Sequence, residues 1–134
     1  MKKLLFSNKP FAQDLGLLSL RLSAGGIMAY SHGWGKLQSL MAGDMGFADP
    51  IGVGEEVSLV LTVFAEFFCG ILVALGLFTR AALIPLIITM LVAVFIIHAD
   101  DPFGKQEFGL LYLIPYVTLF LIGPGKLSVD KQIA

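Results

Sequence analysis

Four long apolar stretches constrain this chain more than any other feature. They run at about 15–32, 57–77, 81–98 and 108–123. Each approaches the ~20 residues an α-helix needs to cross a ~30 Å hydrocarbon layer. The fourth is the shortest and carries no charge. Lipid offers no hydrogen bonds, so a spanning segment must satisfy its own backbone, and helices do so. The expected fold is all-α: a membrane-spanning four-helix bundle, antiparallel, occupying residues 1–134 as one domain. Hydrophobic residues make up 57% of the chain and charged ones 14%. Soluble domains have roughly half and a quarter, and the four stretches account for the excess. The net charge of −1 gives no reason to expect nucleic acid as a partner. The expected partner is the lipid membrane. No internal repeat or low-complexity tract is visible.

The start, "MKKLLFSNKP", is positive like a secretory signal, but its apolar run stops after three residues. The next run contains Arg21 and lacks a small-residue cleavage site, so it is expected to stay as the first helix. Lys2, Lys3, Lys9, Arg80, Lys126 and Lys131 fall at one end of such a bundle, and only Lys36 and Lys105 at the other. Basic residues stay preferentially inside. Both termini are therefore expected in the cytoplasm, with the chain a multi-pass protein of a bacterial or archaeal inner membrane. "GLFTR" and "ADDPFGKQE" are short links; residues 33–56 form the long extracytoplasmic one. That link is rich in glycine and contains Pro50, so it is expected not as one continuous helix but as a folded cap over the bundle, with "KLQSLMAG" as a short amphipathic turn along the interface the alternative. Gly25 and Ala29, and Gly70 and Ala74, are spaced four apart, which lets membrane helices approach closely. Pro85 and Pro115 interrupt the hydrogen bonding of the third and fourth helices.

One charge stands in the middle of the second stretch, Glu66 in "VFAEFFCG". It lies nine positions after Val57, ~14 Å down at 1.5 Å per residue. Arg21 lies eleven positions before His32, taken as the end of the first helix, ~16 Å down. An unpaired charge at that depth costs ~2.5–3.5 kcal/mol on insertion scales. The expectation is that Arg21 and Glu66 face each other between helices one and two. Two alternatives stay open: Arg21 can snorkel to the cytoplasmic surface, and burial can leave Glu66 protonated.

A second polar group gathers at the opposite helix ends. "YSHGWGK" brings His32, Trp34 and Lys36; "HADD" brings His98, Asp100 and Asp101; Glu107 opens the fourth helix. Two histidines at one level suit haem or metal in principle. No H-x-x-x-H or C-x-x-C spacing accompanies them, so no metal site is expected. Tyr30 and Trp34 fit an aromatic belt. The one cysteine, Cys69, cannot form the thiol pair of a disulfide-generating reductase, and reads as a packing residue.

"SLRLSAGGIMAYSHGWGKL", "FAEFFCGILVALGLFTRAALIPLIITMLVAVFIIH" and "QEFGLLYLIPYVTLFLIGPGKLSVD" occur in that order over Ser19 to Asp130. The ordered set resembles the DoxX family of membrane proteins. The matching positions are Arg21, His32, Gly33, Lys36, Glu66, Gly70, Gly76, Arg80, His98, Glu107, Gly123 and Pro124. The resemblance implies a four-helix integral membrane protein. It also implies relatives in an archaeal quinol oxidase system and in a thiosulfate:quinone oxidoreductase, beside members associated with membrane redox or detoxification partners.

Two functions follow as expectations. The first is a noncatalytic anchor or accessory subunit for a membrane redox or detoxification complex, with a protein partner or a homo-oligomer. The second is a quinone-linked oxidoreductase subunit, in which Arg21, His32, Lys36, Glu66, His98 and Glu107 are the ligand-binding candidates and quinone the cofactor. Histidine would carry protons near neutral pH. The first is favoured because a redox enzyme needs an electron carrier and the sequence has no motif for one. A small transporter has less support, since no inverted repeat or pair of broken helices is evident.

Overall fold

The computed structural model describes residues 1–134, all-helical with no strand. α1 is a single turn, Lys2–Leu5. α2 spans residues 13–41, α3 Glu55–Leu75, α4 Thr79–Ile97 and α5 Phe103–Ile122; α6 is the short Val129–Ile133. α3, α4 and α5 are each long and apolar enough to cross a membrane. Only 28 of the 134 residues are buried, and large apolar side chains such as Phe64, Phe68, Phe95 and Leu121 face outward. Water would penalise that much exposed oil, whereas lipid solvates it.

The first helix differs most from the sequence reading. It does not end at His32 but continues to Met41, with right-handed helical backbone on both sides of Gly33. The long link shrinks to residues 42–54, and "KLQSLMAG" supplies the last turns of α2 instead of a separate interfacial turn. Glycine is a poor helix former in water, but here it serves packing. A Cβ on Gly33 would lie 2.6 Å from the backbone N of Phe67, and one on Gly25 would lie 2.5 Å from the carbonyl oxygen of Gly70. Gly25, Gly33 and Gly70 thus let α2 and α3 touch backbone to backbone. The other bounds differ by a few residues: 55–75, 79–97 and 103–122 stand where 57–77, 81–98 and 108–123 were expected.

Contacts along α2 and α3 run in opposite order: Arg21 meets Ala74, Gly25 meets Gly70, and Gly33 meets Glu66 and Phe67. The core lies where α2, α3, α4 and α5 meet, and includes Met28, Val73, Leu83, Leu86 and Leu119. Tyr116 of α5 is fully buried there and donates its hydroxyl to the carbonyl of Ala24 at 2.8 Å. A buried phenol without that acceptor would be costly, so the bond fixes how α5 sits on α2. The turns Leu22–Gly33, Phe64–Cys69 and Ala93–Ile97 are wound wider than α, as π-helix. Such turns recur at functional sites, and here they surround Glu66.

Candidate functional site

The molecule has two polar ends. At the end bearing both chain termini, Arg21 is fully buried. Its guanidinium donates to the carbonyl of Ala74 at 3.0 Å and to that of Leu127, while its Nε has no partner. Gly76 makes room: with φ +70°, its missing Cβ would stand 2.4 Å from an Arg21 nitrogen. Around this arginine the chain after α5 folds back. Asp130 caps α4 from a distance, accepting from the N–H of Phe78 at 2.7 Å, the N–H of Thr79 at 2.9 Å and the Thr79 hydroxyl at 2.6 Å. Burial alone would raise the Asp130 carboxyl, but those bonds and the charge of Arg21 hold it below the ordinary carboxylate value. The N–H of Lys126 donates to Asp14 at 2.9 Å, and Arg80 donates to the carbonyl of Phe120 at 3.0 Å.

The expected Arg21–Glu66 pair is therefore not formed. α2 runs nine residues past His32, so Arg21 sits much farther from the loop end than supposed. Its neighbour Ala74 is eight residues beyond Glu66 on α3, ~12 Å along the axis. Nor does Arg21 snorkel to the surface, since carbonyls bind it inside.

Glu66 is paired instead with Lys36, at 2.5 Å. The extension of α2 past Gly33 carries this lysine, one turn after His32, to the carboxylate. Glu66 is buried, with 7% of its side chain exposed, against 27% for Lys36. The pair forms part of the wall of a cavity of about 380 Å³. Phe47, Ala48, Pro50 and Ile51 roof it, and Leu61, Ile88, Val92 and Ile97 line its sides. Its polar groups include Lys36, Glu66, Thr62, Thr89 and His98. The two threonine hydroxyls donate to the carbonyls of Ser58 and Pro85, which leaves their oxygens free to accept. Asp49 holds the roof, accepting from the N–H groups of Val53 at 2.9 Å and Gly54 at 3.0 Å and from the Ser58 hydroxyl at 3.1 Å. A mostly apolar pocket of this size with a few convergent polar groups is the usual form of a small-molecule site.

The remaining candidates divide. His98 lines the cavity, and its Nδ1 lies 2.7 Å from Asp101. That hydrogen bond, with smaller help from the charges of Lys105 and His98, keeps the Asp101 carboxyl below its ordinary value. His32 lies behind Glu66, its ring edge-on to Phe108 and Tyr112 at 5.1 and 5.7 Å. Glu107 is exposed and lines neither space. So Lys36, Glu66, His98 and His32 come together, while Arg21 and Glu107 stand apart.

Two contributors escaped the sequence reading. Asp49 had a local signal, an Asp–Pro followed by glycines before a helix, which marks a side chain bonding forward to nearby N–H groups. Asp130 closes the last of the three matching blocks, but its capping role had no local signal, because the N–H groups it caps lie some fifty residues earlier.

An all-helical chain with three apolar helices of spanning length is a membrane protein in outline, here with a mostly apolar cavity walled by α2, α3, α4 and the loop before α3. The sequence profile of DoxX matches residues 16–99, and the chain belongs to the DoxX family. A protein of Bacillus subtilis (strain 168) named "Putative oxidoreductase CatD" is 33% identical over 124 residues, 92% of this chain and 89% of that one. No solved structure matches. The matched segment contains Arg21, Lys36, Glu66 and His98 but neither Glu107 nor Asp130.

Proposed function

We propose that this chain is a multi-pass subunit of a membrane redox or detoxification complex, acting as an accessory to a protein that carries the electrons. In this reading α2 to α5 form one antiparallel bundle across a bacterial or archaeal inner membrane. The termini face the cytoplasm and the loop 42–54 faces outward. Six basic residues at the terminal end against Lys36 and Lys105 at the other support that orientation. The name of the Bacillus relative, "Putative oxidoreductase CatD", supports the redox setting. Extraction in mild detergent from native membranes tests the accessory role. A stoichiometric protein bearing a flavin, haem or iron–sulfur centre is expected to come with it; a complex containing only copies of this chain would count against it.

The cavity favours a second, compatible reading: it binds a quinone or quinol headgroup. The space of about 380 Å³, with apolar sides and the Lys36–Glu66 pair in its wall, fits a ring carrying oxygens. Lys36 would donate to a quinone oxygen, and Glu66 would accept from a quinol hydroxyl. A bound quinone would supply two-electron acceptance coupled to two protons. Trp34 is the only tryptophan and stands two residues from Lys36, but it lines a separate groove with Phe67, so only quenching that depends on Glu66 reports the cavity. Titration with a short-chain benzoquinone should quench its fluorescence saturably, with at least tenfold weaker affinity in Glu66→Gln. Linear, unsaturable quenching would remove this reading.

A further inference from the structure

Behind the Lys36–Glu66 pair lies a second space, of about 130 Å³. His32, Glu66, His98, Lys105 and Tyr112 give it a more polar wall than its larger neighbour has. Roughly 10–15 Å³ admits one water, which needs two to four polar partners. The chamber has room and partners for several. Of all side chains, only those of Glu66, Ala93 and His98 line both spaces.

His98 is held in one pose by its own surroundings. Its backbone carbonyl accepts from the Gln106 amide at 2.9 Å, and its Nδ1 is 2.7 Å from Asp101. With Nδ1–H donated to the carboxylate, a neutral ring presents Nε2 as a proton acceptor. About a third of each side chain of this dyad is exposed, 35% for both, so it meets water at the loop end. His32 is a poorer conduit, since it lines only the small chamber and has no carboxylate partner. The charges around His98 are mixed. The acidic groups near it are Asp101, Asp100 and Glu66; the basic ones are Lys105, Lys36 and His32.

We propose that His98, positioned by Asp101, is the group through which Glu66 exchanges protons with loop-end water, the small chamber being the passage. The idea rests on the reading that the larger cavity takes a ligand that gains and loses protons. The step moves one proton and no electrons. Glu66 in its acid form releases it into the chamber, His98 Nε2 takes it up, and the imidazolium returns it to bulk water; uptake is the reverse. Lys36 keeps its charge throughout and holds the carboxylate that remains.

The test needs no ligand. Protein in lipid nanodiscs is dropped in pH, and the carboxylic acid band of Glu66, identified by its loss in Glu66→Gln, is followed by time-resolved infrared absorption. His98→Phe should slow its appearance at least tenfold and leave its final amplitude unchanged. Asp101→Asn, which keeps the ring but loosens it, should slow it about threefold. Equal rates in His98→Phe and the native protein would overturn the proposal, as would a Glu66 that never protonates before the fold is lost. If His98→Phe does not fold, Asp101→Asn decides: slowing supports the route and an unchanged rate overturns it. Failure of benzoquinone to quench Trp34 would remove the ligand reading while leaving this measurement standing.

Discussion

Both ends of the bundle bury a charge, but they treat it differently. At the terminal end, Arg21 is enclosed by carbonyl oxygens of α3 and the C-terminal segment, and a glycine without a side chain presses against it. None of the cavities described above reaches it. At the loop end, Glu66 meets one lysine and then two cavities. A charge enclosed by backbone carbonyls, with no cavity beside it, holds a structure together. A charge beside open space retains capacity for something that comes and goes. Intramembrane charge alone does not separate these roles; the company each charge keeps does.

The sharpest way to break that contrast is to remove Arg21. Arg21→Ala leaves the carbonyls of Ala74 and Leu127 unpaired and opens a void where the side chain was. The expected loss is about 3 kcal/mol, combining a charged hydrogen bond with a cavity. Thermal unfolding in detergent should show it as a large fall in Tm. An Arg21→Ala protein as stable as the native one would end the structural reading of this end.

Next comes the seam between the two ends. A side chain at Gly25 collides with the backbone of Gly70 and Ala74, which cannot move aside as a flexible side chain would. Gly25→Val should cost about 2 kcal/mol through forced separation of α2 and α3. Since Lys36 and Glu66 sit on those same helices, the variant should also weaken benzoquinone quenching of Trp34. Gly26 meets nothing in its neighbourhood, and Gly26→Val should leave both properties within experimental error of the native protein. Equal effects at the two glycines would show that packing at Gly25 is not special.

Asp130 is expected to matter less, because its carboxylate is partly open to solvent. Asp130→Ala removes the distant cap of α4, worth about 1 kcal/mol by analogy with ordinary N-caps. The sign of its pH dependence follows from its depressed folded-state value. Its contribution is complete above the unfolded carboxyl value of ~3.9 and is lost as pH falls through the lower folded value. Comparing acid unfolding of the native protein and Asp130→Ala should therefore show their stabilities converging at low pH. Parallel curves would mean the carboxylate contributes nothing through its charge.

The balance of legible and illegible features follows from range. Four apolar stretches, the inward placement of Glu66 and the gathering of His32, Lys36 and His98 at one end all depend on local composition and helix direction, and the sequence carries them openly. The partner of Glu66 differs from the expected one because the end of α2 does. "HGWG" looks like a helix end by propensity, yet α2 passes through it because Gly33 packs against Phe67 of another helix. A glycine's role as breaker or as contact point is decided by a neighbour the local sequence does not name. Asp130 and Leu127 were invisible as partners of α4 and Arg21 for the same reason, being chain-distant residues brought close only by the finished fold.

The smallest effect expected is also the one that most refines the contrast. The Lys36–Glu66 pair is open on its lysine side, so solvent offsets much of its attraction, and pairs of that kind contribute below about 1 kcal/mol. Glu66→Gln should shift Tm only slightly, because the lysine left behind is partly open to solvent, whereas Lys36→Gln strands a buried carboxylate and should cost more. The double variant should lose less than the sum, because the two groups touch. Arg21→Ala combined with Glu66→Gln should be additive within about 0.5 kcal/mol, since the sites are separate. A stability loss in Glu66→Gln as large as that in Arg21→Ala would put the two charges in one class. The loop-end pair would then be a strut, and its cavity would be the space left beside it.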